Sequence, residues 1–175
     1  MMKTIVSFIA IAAFSLTAAT AVAQDDKSKK PSPPASVTQT IKSGAAVTIH
    51  YNQPSVKGRT IGKDLEPFKG KIWRTGANEA TTFTADKDVK VNGSVLPAGK
   101  YALFTIADDN EWTVIFNKVS EQWGAYKYDE TKDALRIKAK ASQSTTASEK
   151  LTFTIGKDGQ VNILWGTNAV AFSVE

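Results

Sequence analysis

The sequence predicts an all-β fold, an antiparallel β-sandwich of about nine short strands, compatible with a jelly-roll order and carrying two long loops. Three observations lead there. Apolar residues recur with a period of two along much of the chain, as in Val47, Ile49 and Tyr51 or Leu135, Ile137 and Ala139. Turn-forming clusters such as Asn92-Gly93, Gly156-Lys157-Asp158-Gly159 and Gly166-Thr167-Asn168 separate these runs. No convincing helical stretch follows Ala23.

The chain opens as an export signal. Met1–Lys3 is a short basic start, Thr4–Thr20 is apolar, and Ala21-Val22-Ala23 supplies the small residues of a cleavage site. The apolar run is short for a bilayer span, so residues 1–23 read as a cleaved signal helix and not as a stable membrane anchor. Amino-terminal sequencing of the exported protein is expected to begin at Gln24, and a secreted chain that retains Met1 would overturn the export reading. Residues 24–36, rich in Asp, Lys, Ser and Pro, read as a flexible linker, and residues 37–175 as a single β-sandwich domain in the periplasm or outside the cell.

The strands follow in order. Val47, Ile49 and Tyr51 share one face, with Thr48 and His50 on the other. Val89 and Val91 run into Asn92-Gly93, whose preference for positive φ predicts a tight hairpin to Ser94-Val95-Leu96. Tyr101–Ile106 and Trp112–Phe116 are apolar on both faces and read as a covered central hairpin, turned by Asp108–Glu111. That acidic turn lacks the ligand spacing and the glycine of a calcium loop. Leu135–Lys140 alternates with a solvent face. Leu151–Ile155, Val161–Trp165 and Val170–Val174 complete the set.

Two stretches break the alternation, 52–78 and 117–133. Connections longer than about 12–15 residues are uncommon in compact domains and tend to be functional when they are ordered. Trp73, Trp123, Tyr126 and Tyr128 give both loops apolar anchors. The loops are expected to pack together at one end or edge of the sandwich, with Arg74 near the seam and held by Glu79 or by a carboxylate of the second loop.

These loops also carry a resemblance. Tyr51 with Pro54, Lys57-Gly58-Arg59, the string Trp73-Arg74-Thr75-Gly76-Ala77-Asn78-Glu79-Ala80-Thr81 and Asn92-Gly93 are its first pieces. Pro97–Tyr101, Leu103-Phe104, Trp112-Thr113, Asn117-Lys118, Trp123–Tyr128, Asp133 and Arg136 continue it. From about Val37 to the C-terminus the chain resembles the exported bacterial proteins of domain-of-unknown-function family 2911. The resemblance implies export and a single domain, and brings no activity, cofactor or catalytic residue with it.

Composition narrows the chemistry. There is no cysteine and His50 is the sole histidine, so disulfides and thiolate sites are excluded, and neither a metal nor another cofactor is expected. No G-x-S-x-G elbow supports a serine nucleophile. Loss of Lys3 with the signal would take the formal charge from +5 to +4, but the lysines are scattered, which argues against nucleic acid.

The candidate ligand-binding residues are Lys57, Arg59, Trp73, Arg74, Asn78, Glu79, Asn117, Trp123, Tyr126 and Tyr128. With Lys63, Lys69 and Lys71, the basic members can cradle an anionic ligand, or they can be solvated, with Arg74 clamping the loops. The aromatic members can form a platform for a carbohydrate ligand, or plug the open end of the fold, the reading preferred for Trp73. The function that follows is an exported, non-catalytic binding module. The alternatives are a hydrolase of envelope polysaccharide working through a carboxylate pair such as Glu79 with Asp129 or Glu130, and a structural envelope protein.

Overall fold

The computed structural model describes residues 31–175, so the expected signal peptide and most of the linker lie outside the described residues. The chain is all-β. Among the described residues its ten strands are β1 (Pro34–Thr40), β2 (Ala46–Asn52), β3 (Ile72–Trp73), β4 (Thr82–Ala85), β5 (Val89–Val91), β6 (Ser94–Leu96), β7 (Gly99–Ile106), β8 (Glu111–Asn117), β9 (Asp133–Ile155) and β10 (Gln160–Ser173). Pro34–Ser36, read from composition as the end of the linker, already belong to β1.

Eight strands form one antiparallel sheet in the order β1-β2-β4-β7-β8-β9-β10, with β3 paired to β7. β5 and β6 form a separate hairpin. The large sheet is strongly curled into a half-barrel. The curl brings its ends together: Ser55, just past β2, bridges to Lys150 in β9, and the Tyr51 ring meets Phe153 edge-on at 4.7 Å. Inside the curl lies one apolar core that draws Val47, Ile49, Phe83, Leu103, Phe116, Ile137, Phe153, Ile163 and Phe172 from strands all along the sheet. The expected alternation is therefore present, and it faces this shared interior.

The expected strand list lacks β1, β3 and β4, and differs from the structure in two further ways. The run Leu135–Lys140 and the run Leu151–Ile155 are parts of one 23-residue strand, β9, because the Ser- and Thr-rich stretch between them continues in extended form. Likewise Gly166-Thr167-Asn168 is not a turn. It is an irregularity within β10, where the register against β9 shifts on both sides of Gly166. The Asn92-Gly93 hairpin forms as expected, with φ of 45° and 82°, and Asn92 ties it to the sheet by donating to the Lys138 carbonyl and accepting from Ser173 N.

The outer face of the sheet positions the site. Register places His50 beside Thr82, Thr82 beside Ala102, Ala102 beside Asn117 and Asn117 beside Asp133, in one row across β2, β4, β7, β8 and β9. The second loop covers half of this row. There Ala80, Ala102, Phe104 and Ile115 form a second, smaller apolar cluster beneath Ala125 and Tyr128. The half toward β1 and β2 is left as a cleft.

Candidate functional site

The two loops meet, as expected, and backbone hydrogen bonds join them. Glu79 and Trp123 pair as an antiparallel bridge, Ala80 N donates to the Gln122 carbonyl at 2.9 Å, and Gly124 N donates to the Asn78 carbonyl at 3.0 Å. A short ladder of this kind holds Trp123 rigidly while its side chain remains 60% exposed. A large apolar group held in water by a stiff backbone is the most informative feature of this surface, because nothing in folding requires it there.

Trp123 stands at a cleft of ≈ 840 Å³ between the second loop and the outer face of β1, β2 and β4. Its polar lining comes from His50, Asn52, Asn78, Glu79, Lys100 and Glu121. Asn52 Nδ2 donates to the Glu79 carboxylate at 2.9 Å and orients it. Lys100 Nζ lies 3.3 Å from Glu121, an exposed pair at the rim. The volume is that of a small-molecule or oligosaccharide site.

Three of the expected residues therefore come together here: Asn78, Glu79 and Trp123. The others are placed elsewhere. Lys57 and Arg59 lie on the far side of the first loop. The Lys57 amide is bound by Glu149, and the Arg59 guanidinium folds back onto the carbonyls of Ser55 and Val56. Lys69 pairs with Asp108 and Asp109 at the β7–β8 turn. Arg74 pairs with Glu66 at 2.7 Å, a residue of its own loop, and not with Glu79 or a second-loop carboxylate. Its Nε is buried with no partner among the described residues. Arg59, Lys69 and Arg74 thus turn to separate local partners and form no single anion cradle.

Trp73 is a plug, as preferred from the sequence. Its side chain is 1% exposed, packs edge-on against Trp112 and donates Nε1 to the Gly76 carbonyl at 3.1 Å. The corner after it is tight. Thr75 is fully buried with φ of 54°, an outlier for a β-branched residue. Thr81 Oγ1 donates to the Thr75 carbonyl at 2.8 Å, and the Thr75 and Thr105 hydroxyls are 3.1 Å apart. A Cβ on Gly76 would meet Thr81 Oγ1 at 2.8 Å and the Asn52 carbonyl at 3.2 Å, so only glycine lets these strands of chain approach.

Asn117 and Tyr128 serve the loop's foot. Asn117 is fully buried, donates to the Asp129 carbonyl and to Asp133 Oδ1 at 2.9 and 2.7 Å, and accepts from Val119 N. The Tyr128 hydroxyl donates to Asp133 Oδ2 at 2.7 Å and accepts from Arg136 Nη2, while the ring packs on Phe104. Burial, then the Asp133 carboxylate, push the Tyr128 phenol well above its ordinary pKa, and Asp133 raises Arg136 further. Tyr126 is 86% exposed and lies outside the cleft lining. The carboxylates weighed for hydrolysis are also apart in role. Glu79 lines the cleft, Asp129 caps the 3₁₀ turn Glu130–Lys132, and Glu130 faces Arg136.

Sequence reasoning missed Asn52 and Lys100, which carry no distinctive spacing, and weighed Glu121 only among the second-loop carboxylates that could hold Arg74. His50 had a usable signal, since the alternation of β2 already turned it away from the core.

Comparison with known proteins gives one match. No curated protein and no solved structure matches the chain. The family model described as Protein of unknown function (DUF2911) matches residues 32–174, from just before β1 to the end of β10. With that span covering the whole described fold and both loops of the cleft, the chain belongs to the DUF2911 family.

Proposed function

We propose that the protein is an exported, non-catalytic binding module whose outer-face cleft takes a carbohydrate or another small polar ligand. In this reading the facing limbs of the curled sheet act as the two layers of a sandwich, a stiff support for the cleft. The observation that carries it is Trp123, an exposed indole fixed by the Asn78–Ala80 ladder beside the Asn52–Glu79 pair. Such a face stacks on a ring while the polar groups fix its orientation. The carboxylates do not favour hydrolysis, since Glu79 is engaged by Asn52 and the exposed Glu121 by Lys100.

The test uses the fact that Trp73, Trp112 and Trp165 are buried, so Trp123 supplies the solvent-sensitive fluorescence. Titration with a panel of neutral and acidic oligosaccharides and anionic metabolites is expected to quench it for at least one member. Trp123→Ala is expected to weaken that binding by ~2 kcal/mol, roughly thirtyfold. Stability should stay within ~0.5 kcal/mol, as for other exposed positions. A panel that produces neither quenching nor heat of binding would refute the reading.

A further inference from the structure

The ligand's charge can be taken further, on the assumption that the cleft is a binding site. The chain as a whole is basic, with a formal net charge of +5, and would attract anions from a distance. The cleft does not share that character. None of the basic side chains of the first loop lines the cleft, and three are engaged elsewhere, Arg74 on Glu66, Lys69 on the acids of the β7–β8 turn and Arg59 on backbone carbonyls. Among the side chains that line the cleft, Lys100 stands against two carboxylates, Glu79 and Glu121, with His50 counted as neutral. Lys100 is matched by Glu121 at the rim, which leaves the exposed Glu79 carboxylate with no ion-pair partner among the described residues.

Glu79 is set up to accept. Asn52 Nδ2 is its hydrogen-bond partner among the described residues and reaches Oε2, so Oε1 can take a proton donor from a ligand. Asn78 Nδ2 is turned to the Ser32 carbonyl at 3.3 Å. A cleft whose fixed polar group is a carboxylate, and whose apolar wall is an indole, suits a ring with hydroxyl donors on its edge and C–H groups on its face. It opposes a ligand carboxylate or sulfate, which would lie beside the half-solvated Glu79 with no unpaired cation among the described lining residues to meet it.

We infer that the cleft takes an uncharged pyranose of an oligosaccharide, stacked on Trp123 and donating a hydroxyl to Glu79, and that it discriminates against acidic glycans. Isothermal titration calorimetry tests this with the full chain and a set of neutral hexose oligomers of differing linkage, each beside a uronate oligomer of the same length. At least one neutral oligomer is expected to bind about tenfold more tightly than its uronate counterpart, the size of a single like-charge penalty in a half-solvated site. Glu79→Gln is expected to bring that ratio close to one, and Trp123→Ala to abolish binding of both. A uronate that binds as tightly as its neutral counterpart overturns the inference and leaves the cleft a binding site. A neutral preference unchanged in Glu79→Gln overturns the role of Glu79. Absence of binding by every probe, acidic ones included, overturns the binding reading together with this one.

Discussion

Trp73→Ala is expected to cost ~3–5 kcal/mol, the range for removing a fully buried large aromatic side chain. The upper end applies, because three losses coincide. The indole leaves a cavity against Trp112 at the junction of β3 and β7. The Gly76 carbonyl loses its Nε1 donor in a buried position. Thr75, held at positive φ, loses the neighbour that fixes the turn, and positions of this kind store about 1–3 kcal/mol of strain that the surroundings must hold. Since a domain's whole stability is commonly ~5–15 kcal/mol, the variant would lose a third or more of it. Urea melts measure the change. Trp73→Phe separates the contributions: it keeps most of the apolar volume and should cost about 1–2 kcal/mol for the lost hydrogen bond. A Trp73→Ala variant within about 1 kcal/mol of the parent would show that this corner does not organise the fold.

That corner was legible in the sequence, and the reason is chemical. A tryptophan, a glycine and two threonines in nine residues have few solvated uses, and the structure buries all four residues at one point. The strand faces were legible for a similar reason, because one side of each strand meets the core and the other does not. The closure of the sheet was not. Whether alternating strands make two layers or one curled sheet depends on pairing between distant residues, such as Ser55 with Lys150, and a period of two does not specify it. The merging of β9 was hidden for another reason. Thr and Ser extend a strand as well as they end one, so a polar stretch between apolar runs imitates a connection.

The site was half legible. Loop length and aromatic content located Trp123, Asn78 and Glu79, since backbone pairing between the loops follows from their meeting. Charge did not transfer in the same way. Six cationic side chains within eighteen residues look like a cradle in one dimension, but Arg59, Lys69 and Arg74 each reach for a separate carbonyl or acid, and extended chain carries neighbours apart at ~3.3 Å per residue. Arg74 found Glu66, eight residues back in its own loop, instead of Glu79 or an acid of the second loop. Asn52, His50 and Lys100 came to the cleft through strand register, which is set by the whole sheet.

Asp133→Ala is expected to release the second loop and with it the cleft. Asp133 is a single buried carboxylate at the start of β9, its side chain 8% exposed, that accepts from Asn117, Tyr128 and Arg136 at once. Removing it leaves the phenol without its acceptor, Asn117 with one donated bond of two, and a guanidinium facing a partly covered space. Breaking a buried pair costs ~3–5 kcal/mol, and the lower end applies because Arg136 is 40% exposed and can turn to water. The loss should be local before it is global: amide exchange at Lys118, whose N–H bonds the Lys132 carbonyl, and at Val119 should accelerate most. Because Trp123 rides on the same loop, any ligand of the cleft should bind more weakly although no contact residue has changed. Alkaline titration gives an independent check on the parent protein. The folded Tyr128 phenol is raised above its ordinary value of about 10. The folded state therefore keeps a proton that the unfolded state loses, and this contribution is full below pH ~10 and declines as pH rises through the raised value. Tyr128→Phe should flatten that decline. Asp133→Ala should flatten it too, because it removes the carboxylate that helps raise the phenol. If exchange at 118–132 in Asp133→Ala matches the parent, the loop is held by its ladder to Glu79 and Ala80 and not from its foot.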